Sequence, residues 1–272
     1  MNSIRRETKS ITVGSIRIGS EYPIRVQTMA NTDTNDIEAS VSQAKRCIEA
    51  GAELLRYTTQ GTKEAENLGI IHNKLQSEGY TTPLVADIHF NPHVAETAAK
   101  LVEKIRINPG NFVSSKEGEY SEKEWAEEIN KIREKLFPLL DICKQHNTCV
   151  RIGVNHGSLS KRIVSKYGNT PLGLAKSCME FIDLCEEAEF YNLILSIKAS
   201  NTRVMVYAVR MLVEMMEKSG KNYPLHLGVT EAGSDTEGRI KSASGIGTLL
   251  SEGIGDTIRV SLSEAPEAEI PV

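Results

Sequence analysis

The chain has 272 residues, of which 40% are apolar and 25% charged, and its formal net charge is −4 at pH 7. This composition is typical of a globular protein with a substantial core, and the acidic balance argues against a broadly basic nucleic-acid-binding surface. No run of about eighteen apolar residues occurs, and the N-terminus MNSIRRETKS has no apolar signal segment, so we expect a cytoplasmic protein without a membrane span.

The first predicted element is a small hairpin. Residues 10–24 alternate between polar and apolar side chains around Gly14 and Gly19, which is typical of two short antiparallel strands joined by a turn. We therefore assign residues 1–24 to an N-terminal extension that carries the hairpin, and residues 25–272 to one domain.

Strand-like segments then alternate with amphipathic helical segments. The eight predicted strands cover residues 25–29, 53–58, 84–89, 104–107, 149–154, 193–198, 225–230 and 257–261. Such alternation predicts a parallel sheet of the α/β class, and the strand number favours closure into a (β/α)8 TIM barrel. A doubly wound open sheet is the alternative, but residues 245–247 lack the third glycine of a dinucleotide-binding turn.

The end of the chain departs from a complete barrel. After the eighth predicted strand the sequence reads EAPEAEIPV and stops, so we predict no eighth helix and a barrel truncated at this point. Apolar strand backs left uncovered there would favour self-association.

The cysteines show no pattern of a shared site. Cys47, Cys143, Cys149, Cys178 and Cys185 have no C-x-x-C spacing, so we predict neither a disulfide framework nor a metal centre formed by this chain alone. Thiols packed against apolar neighbours are the simpler interpretation.

One side of the predicted strands carries polar side chains. Successive side chains of a strand point to opposite faces, and in a barrel one face is turned to the helices and the other to the axis. The axis-facing residues and those that continue them are Gln27, Asn31, Arg56, Asp87, His89, Arg106, Asn108, Arg151, Asn155, Lys198, Ser200, His226, Thr230, Arg259 and Ser261. They predict a polar mouth at the C-terminal end of the strands, where barrel enzymes have their active sites.

Five residues of this set are cations on five different strands: Arg56, Arg106, Arg151, Lys198 and Arg259. A single strand arginine is more often structural, but cations clustered in a low-dielectric mouth repel one another unless an anion binds among them. Guanidinium groups suit phosphate oxygens because they stay charged and can donate two parallel hydrogen bonds. The pattern therefore predicts a phosphorylated ligand, with a diphosphate as the best fit.

Three further residues are candidates for chemistry. Asp87 and His89 lie two apart, face the same way, and suit an acid–base pair, metal ligands or polar contacts to a substrate. No third ligand is obvious, so we predict no metal site in this chain. Glu231 follows the seventh strand in TEAGSDTEG, where a loop can turn it toward the mouth or leave it in a structural salt bridge.

Seven sequence blocks occur in the order found in one enzyme family. The blocks VQTMANTDT, PLVADIHF, RINPGN, RIGVNHGSLS, SIKAS, PLHLGVTEAG and SEGIGDTIRVSL resemble the barrel domain of the hydroxymethylbutenyl diphosphate synthase family (IspG/GcpE). The resemblance covers nearly the whole chain. The NHGSLS block is similar to the longer, plant-like and Bacteroidetes-like form, which has an additional domain between the barrel and a cluster domain.

The resemblance implies an oxidoreductase of the methylerythritol phosphate (non-mevalonate) route to isoprenoids, which opens the ring of 2-C-methyl-D-erythritol 2,4-cyclodiphosphate by reductive dehydration. It implies that the barrel mouth holds the diphosphate and that Glu231 acts near the reacting centre. It also implies a [4Fe–4S] cluster on a separate C-terminal domain, of the same or a second subunit, with ferredoxin or flavodoxin as electron donor. The C-P-x-C cluster motif is absent here, so this barrel is expected to bind substrate without holding the cluster or performing the reduction.

Other functions stay open at this point. Lys198 stands where Schiff-base aldolases place their nucleophile, which suits a class I aldolase-type barrel acting on a sugar phosphate. A pterin-binding barrel would share the polar strand tips, although five cations exceed what such a site needs. A non-catalytic barrel that binds a phosphorylated ligand is the third alternative.

Overall fold

The computed structural model describes residues 5–88 and 91–272. The strands are β1 (Ile11–Val13), β2 (Ile16–Ile18), β3 (Arg25–Met29), β4 (Leu54–Thr58), β5 (Leu84–Asp87), β6 (Lys104–Ile107), β7 (Cys149–Asn155), β8 (Leu193–Lys198), β9 (His226–Leu227) and β10 (Thr257–Ile258). The helices are α1 (Ile37–Glu49), α2 (Thr62–Ser77), α3 (Pro92–Ala99), α4 (Glu122–His146), α5 (Lys161–Tyr167), α6 (Pro171–Glu187), α7 (Thr202–Lys218), α8 (Asp235–Ser251) and α9 (Pro266–Glu269). One 3-10 turn covers Pro109–Asn111.

Strands β3 to β10 form one parallel sheet that closes on itself. The strand order is β8-β7-β6-β5-β4-β3-β10-β9, and a parallel bridge between Leu195 and Leu225 joins β8 to the start of β9. The predicted (β/α)8 barrel with an N-terminal hairpin is confirmed. An open, doubly wound sheet is excluded because its two edge strands would stay apart.

The helices begin at capping side chains and cover the outer face of the barrel. Ser121 and Glu124 form a reciprocal capping box at the start of α4, and Asn201 accepts hydrogen bonds from two backbone N–H groups at the start of α7. Outward-facing residues such as Ile105 and Ile152 are fully buried beneath the helices. Among the described helices, none has the length and hydropathy needed to cross a bilayer.

The hairpin closes the N-terminal end of the barrel. Strands β1 and β2 pair antiparallel. The buried side chains of Ile11, Val13 and Ile18 pack against four axis-facing residues at the N-terminal ends of the barrel strands. These four are Leu54, Val85, Cys149 and Ile194. Apolar side chains therefore close the interior at this end, and most of its polar side chains lie further toward the C-terminal end.

The chain end differs from the prediction. Where no eighth helix was predicted, the structure has one helical turn, α9, which begins at Pro266 and lies against β3 and α1. Ile258 of the last strand and Val260, which follows it, are half-buried beside this turn. Self-association through this face stays a prediction.

Candidate anion-binding site at the barrel mouth

The axis-facing side chains of the strands line one cavity at the C-terminal mouth. Its lining residues are Arg56, Asp87, Arg106, Arg151, Gly153, Asn155, Ser196, Lys198, Val229, Thr230, Arg259 and Ser261. All five predicted cations are among them, together with Asp87, Asn155 and Ser261. The strand alternation that selected these residues is thus what brings them together.

One carboxylate lies between two of the cations. Asp87 Oδ1 accepts a hydrogen bond from Arg106 Nη1 at 3.2 Å, and Asp87 Oδ2 lies 3.6 Å from Arg56 Nε. Arg106 Nη2 also donates to the carbonyl oxygen of Gly153 at 2.8 Å. Both arginines are therefore held by contacts at the strand tips, and both line the mouth cavity.

Position 153 must be glycine for Arg106 to lie where it does. A Cβ atom added at Gly153 would lie 2.3 Å from Arg106 Nε and 3.1 Å from its Cγ. The small residue in the RIGVN segment therefore makes room for a guanidinium contributed by the neighbouring strand.

The cations are buried, and they repel one another when no anion is bound among them. Burial, opposed by Asp87 and reinforced by nearby guanidinium groups, lowers the pKa of Arg56 to about 10. Burial and the same arginines hold the pKa of Lys198 well below its usual value, and Arg151 is shifted in the same direction for the same reasons. An anion placed among these groups would reverse the charge repulsion and raise all three pKa values.

Several buried nitrogens of the cluster have no hydrogen-bond partner among residues 5–88 and 91–272. They include Nε and Nη1 of Arg151 and Nε of Arg106. Buried donors are normally satisfied, so a group of unsatisfied donors in one place calls for an acceptor. Counted as charged, five cations face the carboxylates of Asp87 and Glu269, which leaves a surplus of three positive charges among the described side chains.

A second polar tier lies deeper in the barrel; Gln27 and His226 of this tier were predicted to face the axis, whereas Lys104 and Thr257 were not. Lys104 is fully buried and donates to Gln27 Oε1 at 3.0 Å, while His226 Nδ1 lies 3.2 Å from Thr257 Oγ1. Burial, with Arg151 next, lowers the pKa of Lys104 to about 7. Lys104 has the same strand parity as Arg106, so the alternation already contained the signal that would have found it.

Asn108, Ser200 and Glu231 were expected at the mouth but are not part of the cavity lining. The amide of Asn108 accepts from the N–H of Gly110 and donates to Ser158 Oγ, both at 3.1 Å, so local turn contacts use its polar atoms. Ser200 is half-buried just after β8. His89 lies outside the described residues.

Glu231 is exposed at the rim rather than inside the mouth. Its backbone φ of 51° is left-handed, which is unusual for a residue with a side chain. Its carbonyl oxygen accepts a hydrogen bond from Lys241 Nζ at 3.0 Å. Backbone strain of this kind is concentrated at functional sites.

The described residues do not fit a metal cluster. No group of three or more His, Cys, Asp or Glu side chains among them could hold a metal ion. The five cysteines are free and buried, on α1, α4, β7 and α6. Burial raises the pKa of Cys149 to about 12, which makes the thiolate that a cluster needs unfavourable. The cysteines therefore serve as packing residues of the core, as predicted.

Residues 8–272 match the model of a family described as the GcpE TIM-barrel domain. A curated relative from Bacteroides thetaiotaomicron, named 4-hydroxy-3-methylbut-2-en-1-yl diphosphate synthase (flavodoxin), is 58% identical over 275 aligned positions, covering 100% of this chain and 45% of the relative. A relative from Synechococcus sp., carrying the same name with ferredoxin in place of flavodoxin, is 50% identical over 273 positions, covering 98% of this chain and 68% of the relative. The chain thus spans about 45% of the length of the Bacteroides relative.

Solved structures with a similar fold come from other enzymes. Dihydropteroate synthase from Stenotrophomonas maltophilia superposes with a TM-score of 0.62 at 13% identity, covering 97% of this chain and 96% of that chain. Type I 3-dehydroquinate dehydratase from Clostridium difficile gives a TM-score of 0.61 at 11% identity, covering 96% and 92%. At these identities the similarity shows the barrel fold alone.

Proposed function

We propose that this chain, which belongs to the GcpE TIM-barrel family, is the diphosphate-binding barrel of a 4-hydroxy-3-methylbut-2-en-1-yl diphosphate synthase. The observation that carries the proposal is the convergence of cations from the ends of five strands on one cavity, where buried donors of Arg106 and Arg151 have no partner in the part of the chain that the structure describes. A diphosphate supplies both the negative charge and the oxygen acceptors that this cluster lacks. The names of the relatives point to the same product.

The reaction proposed for the whole protein is the reduction of 2-C-methyl-D-erythritol 2,4-cyclodiphosphate to 4-hydroxy-3-methylbut-2-enyl diphosphate in the methylerythritol phosphate route. One carbon–oxygen bond to the cyclic diphosphate breaks and one hydroxyl leaves as water, while two electrons and two protons are consumed. A [4Fe–4S] cluster on a separate C-terminal domain, of the same or a second subunit, would supply the electrons, with flavodoxin or ferredoxin as their source. A cytoplasmic location is part of this proposal.

The barrel's own residues bind, orient and stabilise charge. The guanidinium groups of Arg56, Arg106 and Arg151 would neutralise the diphosphate in the ground state. When the ring opens, the freed phosphate oxygen gains negative charge, and fixed cations at its position stabilise that charge without having to reorganise. We assign Glu231, at the rim, a role in transferring a proton near the leaving hydroxyl.

Calorimetric titration of the chain with 2-C-methyl-D-erythritol 2,4-cyclodiphosphate, at low and at raised salt, tests the proposal. We expect binding that weakens as ionic strength rises, because added salt screens the charge attraction. An absence of binding at both salt concentrations would contradict the proposal that the barrel alone forms the diphosphate site.

Lys198 supports a second candidate, an aldolase-type barrel, because its lowered pKa is a property of Schiff-base lysines. Borohydride treatment with glyceraldehyde 3-phosphate, followed by mass spectrometry, separates the two functions. We expect no covalent adduct, since the arginines around Lys198 suit a role in anion binding. A reduced adduct on Lys198 would favour the aldolase.

A further inference from the structure

A buried carboxylate lies at the junction of the first and last barrel strands. Glu269, the last residue of α9, has a relative exposure of 5%. Its carboxylate accepts hydrogen bonds from Thr28 Oγ1 at 2.8 Å, from the N–H of Leu262 at 3.0 Å, and from Arg259 Nε and Nη2 at 3.2 and 3.1 Å. Four donors fill the acceptor sites of a carboxylate, so Glu269 is fully engaged.

These contacts come from two segments of the chain that are far apart in sequence. Thr28 belongs to β3, Arg259 directly follows β10, and Leu262 lies in the loop before α9. Since β3 and β10 are neighbours in the sheet, the carboxylate links β3 to the loop that follows β10. The position of Glu269 is therefore determined by contacts within the barrel that do not involve a ligand.

The contacts also determine the orientation of Arg259. One edge of the Arg259 guanidinium donates to Glu269 through Nε and Nη2. Nη1 lies 3.4 Å from Met29 Sδ, and the side chain lines the mouth cavity. An arginine side chain loses much rotamer entropy when it is immobilised by a ligand. An arginine already held along one edge has lost that entropy before the ligand arrives.

We propose that Glu269 is a positioning residue, which holds Arg259 with its free edge toward the diphosphate. The inference rests on the proposed function, because it assumes that the mouth binds a diphosphate. Glu269 acts through Arg259 and does not itself meet the ligand. It belongs to a segment that the sequence analysis treated only as a truncated end.

A simple charge argument predicts the opposite effect on binding. Glu269 places a negative charge beside an anion-binding cavity, so its removal should strengthen diphosphate binding if electrostatics alone mattered. If Glu269 orients Arg259, its removal should weaken binding. The direction of the change therefore distinguishes the two roles.

The test is calorimetric titration of the 272-residue chain with inorganic diphosphate at fixed ionic strength. For Glu269→Gln we expect the affinity to fall about five- to tenfold, the scale of one hydrogen bond, because glutamine keeps one of the two acceptor oxygens. The matched control is Glu267→Gln on the same helix, which removes an ion pair with Arg46 at 2.6 Å on the outer surface. The control should leave the affinity unchanged.

A double-substitution cycle separates positioning from general destabilisation. Arg259→Met should weaken binding by itself, and Glu269→Gln should have no further effect when Arg259 is already replaced. Tighter binding by Glu269→Gln, or an equal loss in both backgrounds, would overturn the inference. If neither Arg259→Met nor Arg56→Ala changed the affinity, the proposed function itself would fail.

Thr28→Val keeps the inference testable if Glu269→Gln does not fold. It removes one hydrogen bond to the same carboxylate, together with a 3.2 Å contact between the Thr28 hydroxyl and the carbonyl oxygen of Pro266, and it leaves Glu269 and Arg259 in place. We expect a loss in diphosphate affinity of about two- to threefold that disappears in the Arg259→Met background. A loss that persists in that background, or no loss at all from a folded Thr28→Val chain, would contradict positioning through Arg259.

Discussion

Arg56 shows how a single side chain is prepared for an anion. It is nearly buried, its Nε lies 3.6 Å from Asp87 on one side and 3.1 Å from Met29 Sδ on the other, and burial lowers its pKa. A thioether is a weak acceptor, so a phosphate oxygen would be a much better partner for the same nitrogens. The neighbour that Arg56 has without a ligand is therefore easily displaced.

We predict that Arg56→Ala weakens binding of inorganic diphosphate by about 1–3 kcal/mol, the range for a lost charged hydrogen bond. The measurement is calorimetric titration, with Arg133→Ala as control, since Arg133 forms a surface pair with Glu187 on the helical exterior. Unchanged affinity in both Arg56→Ala and Arg259→Ala would rule out the mouth as the phosphate site.

Lys104 makes the stability of the barrel depend on pH. Its pKa is about 7 in the folded chain against an ordinary value of 10.5, so the unfolded chain binds more protons between these two values. Stability should therefore rise with pH across this window, by at most about 1.4 kcal/mol per pH unit from this residue.

Urea unfolding of the unsubstituted chain and of Lys104→Met at pH 7, 8 and 9 measures this contribution. The free energy of unfolding of the unsubstituted chain should increase with pH relative to that of Lys104→Met, because all other titrating groups are shared. Parallel pH profiles would show that Lys104 keeps its proton when buried.

At the scale of elements, strand alternation predicted which strand residues line the site. The contacts made by residues in the loops could not be predicted in this way. The cations of β4, β6, β7 and β8 could be placed on the axis side because each strand side chain points either to the axis or to the helices, in strict alternation. Glu269 was not predicted, since its contact with Arg259 depends on how the loop after β10 returns to β3. Asn108 was predicted to face the ligand, but its amide is engaged in the local turn after β6, as asparagine often is.

The pairing of β6 with β7 gives a test at this scale. Gly153→Ala would push a methyl group into Arg106, which must then leave its position between Asp87 and the Gly153 carbonyl. We expect a loss of about 1–3 kcal/mol in the free energy of unfolding and weaker diphosphate binding, measured by urea unfolding and calorimetry.

The matched control is Gly247→Ala in α8, where an added Cβ meets no atom within 4 Å. That substitution should be neutral or stabilising by up to about 1 kcal/mol, because alanine favours a helix. Equal effects of the two substitutions would mean that Arg106 can move at no cost.

For the whole molecule, the barrel was predictable because eight alternating segments leave few topologies. The closure of the barrel at its N-terminal end was harder to predict. The sequence predicts the hairpin from its turns, whereas its packing against Leu54, Val85, Cys149 and Ile194 depends on contacts across the whole barrel. The helical turn at Pro266 was missed because four residues carry no periodicity.

The hairpin should contribute to stability without affecting the mouth. Ile18 is fully buried in the cluster that closes the barrel, so Ile18→Ala should lower the free energy of unfolding by about 2–5 kcal/mol. Diphosphate affinity should stay unchanged, because the substitution lies at the opposite end of the strands. A comparable loss of affinity would show that the two ends of the barrel are coupled.

The closed N-terminal end also has a kinetic consequence. With apolar side chains filling one end of the barrel, any molecule bound among the cations has to leave through the opening by which it entered. Entry and exit then compete for one passage, and a diphosphate product that has not yet departed blocks the next substrate. Under the proposed function, the steady-state rate law should therefore contain competitive inhibition by product.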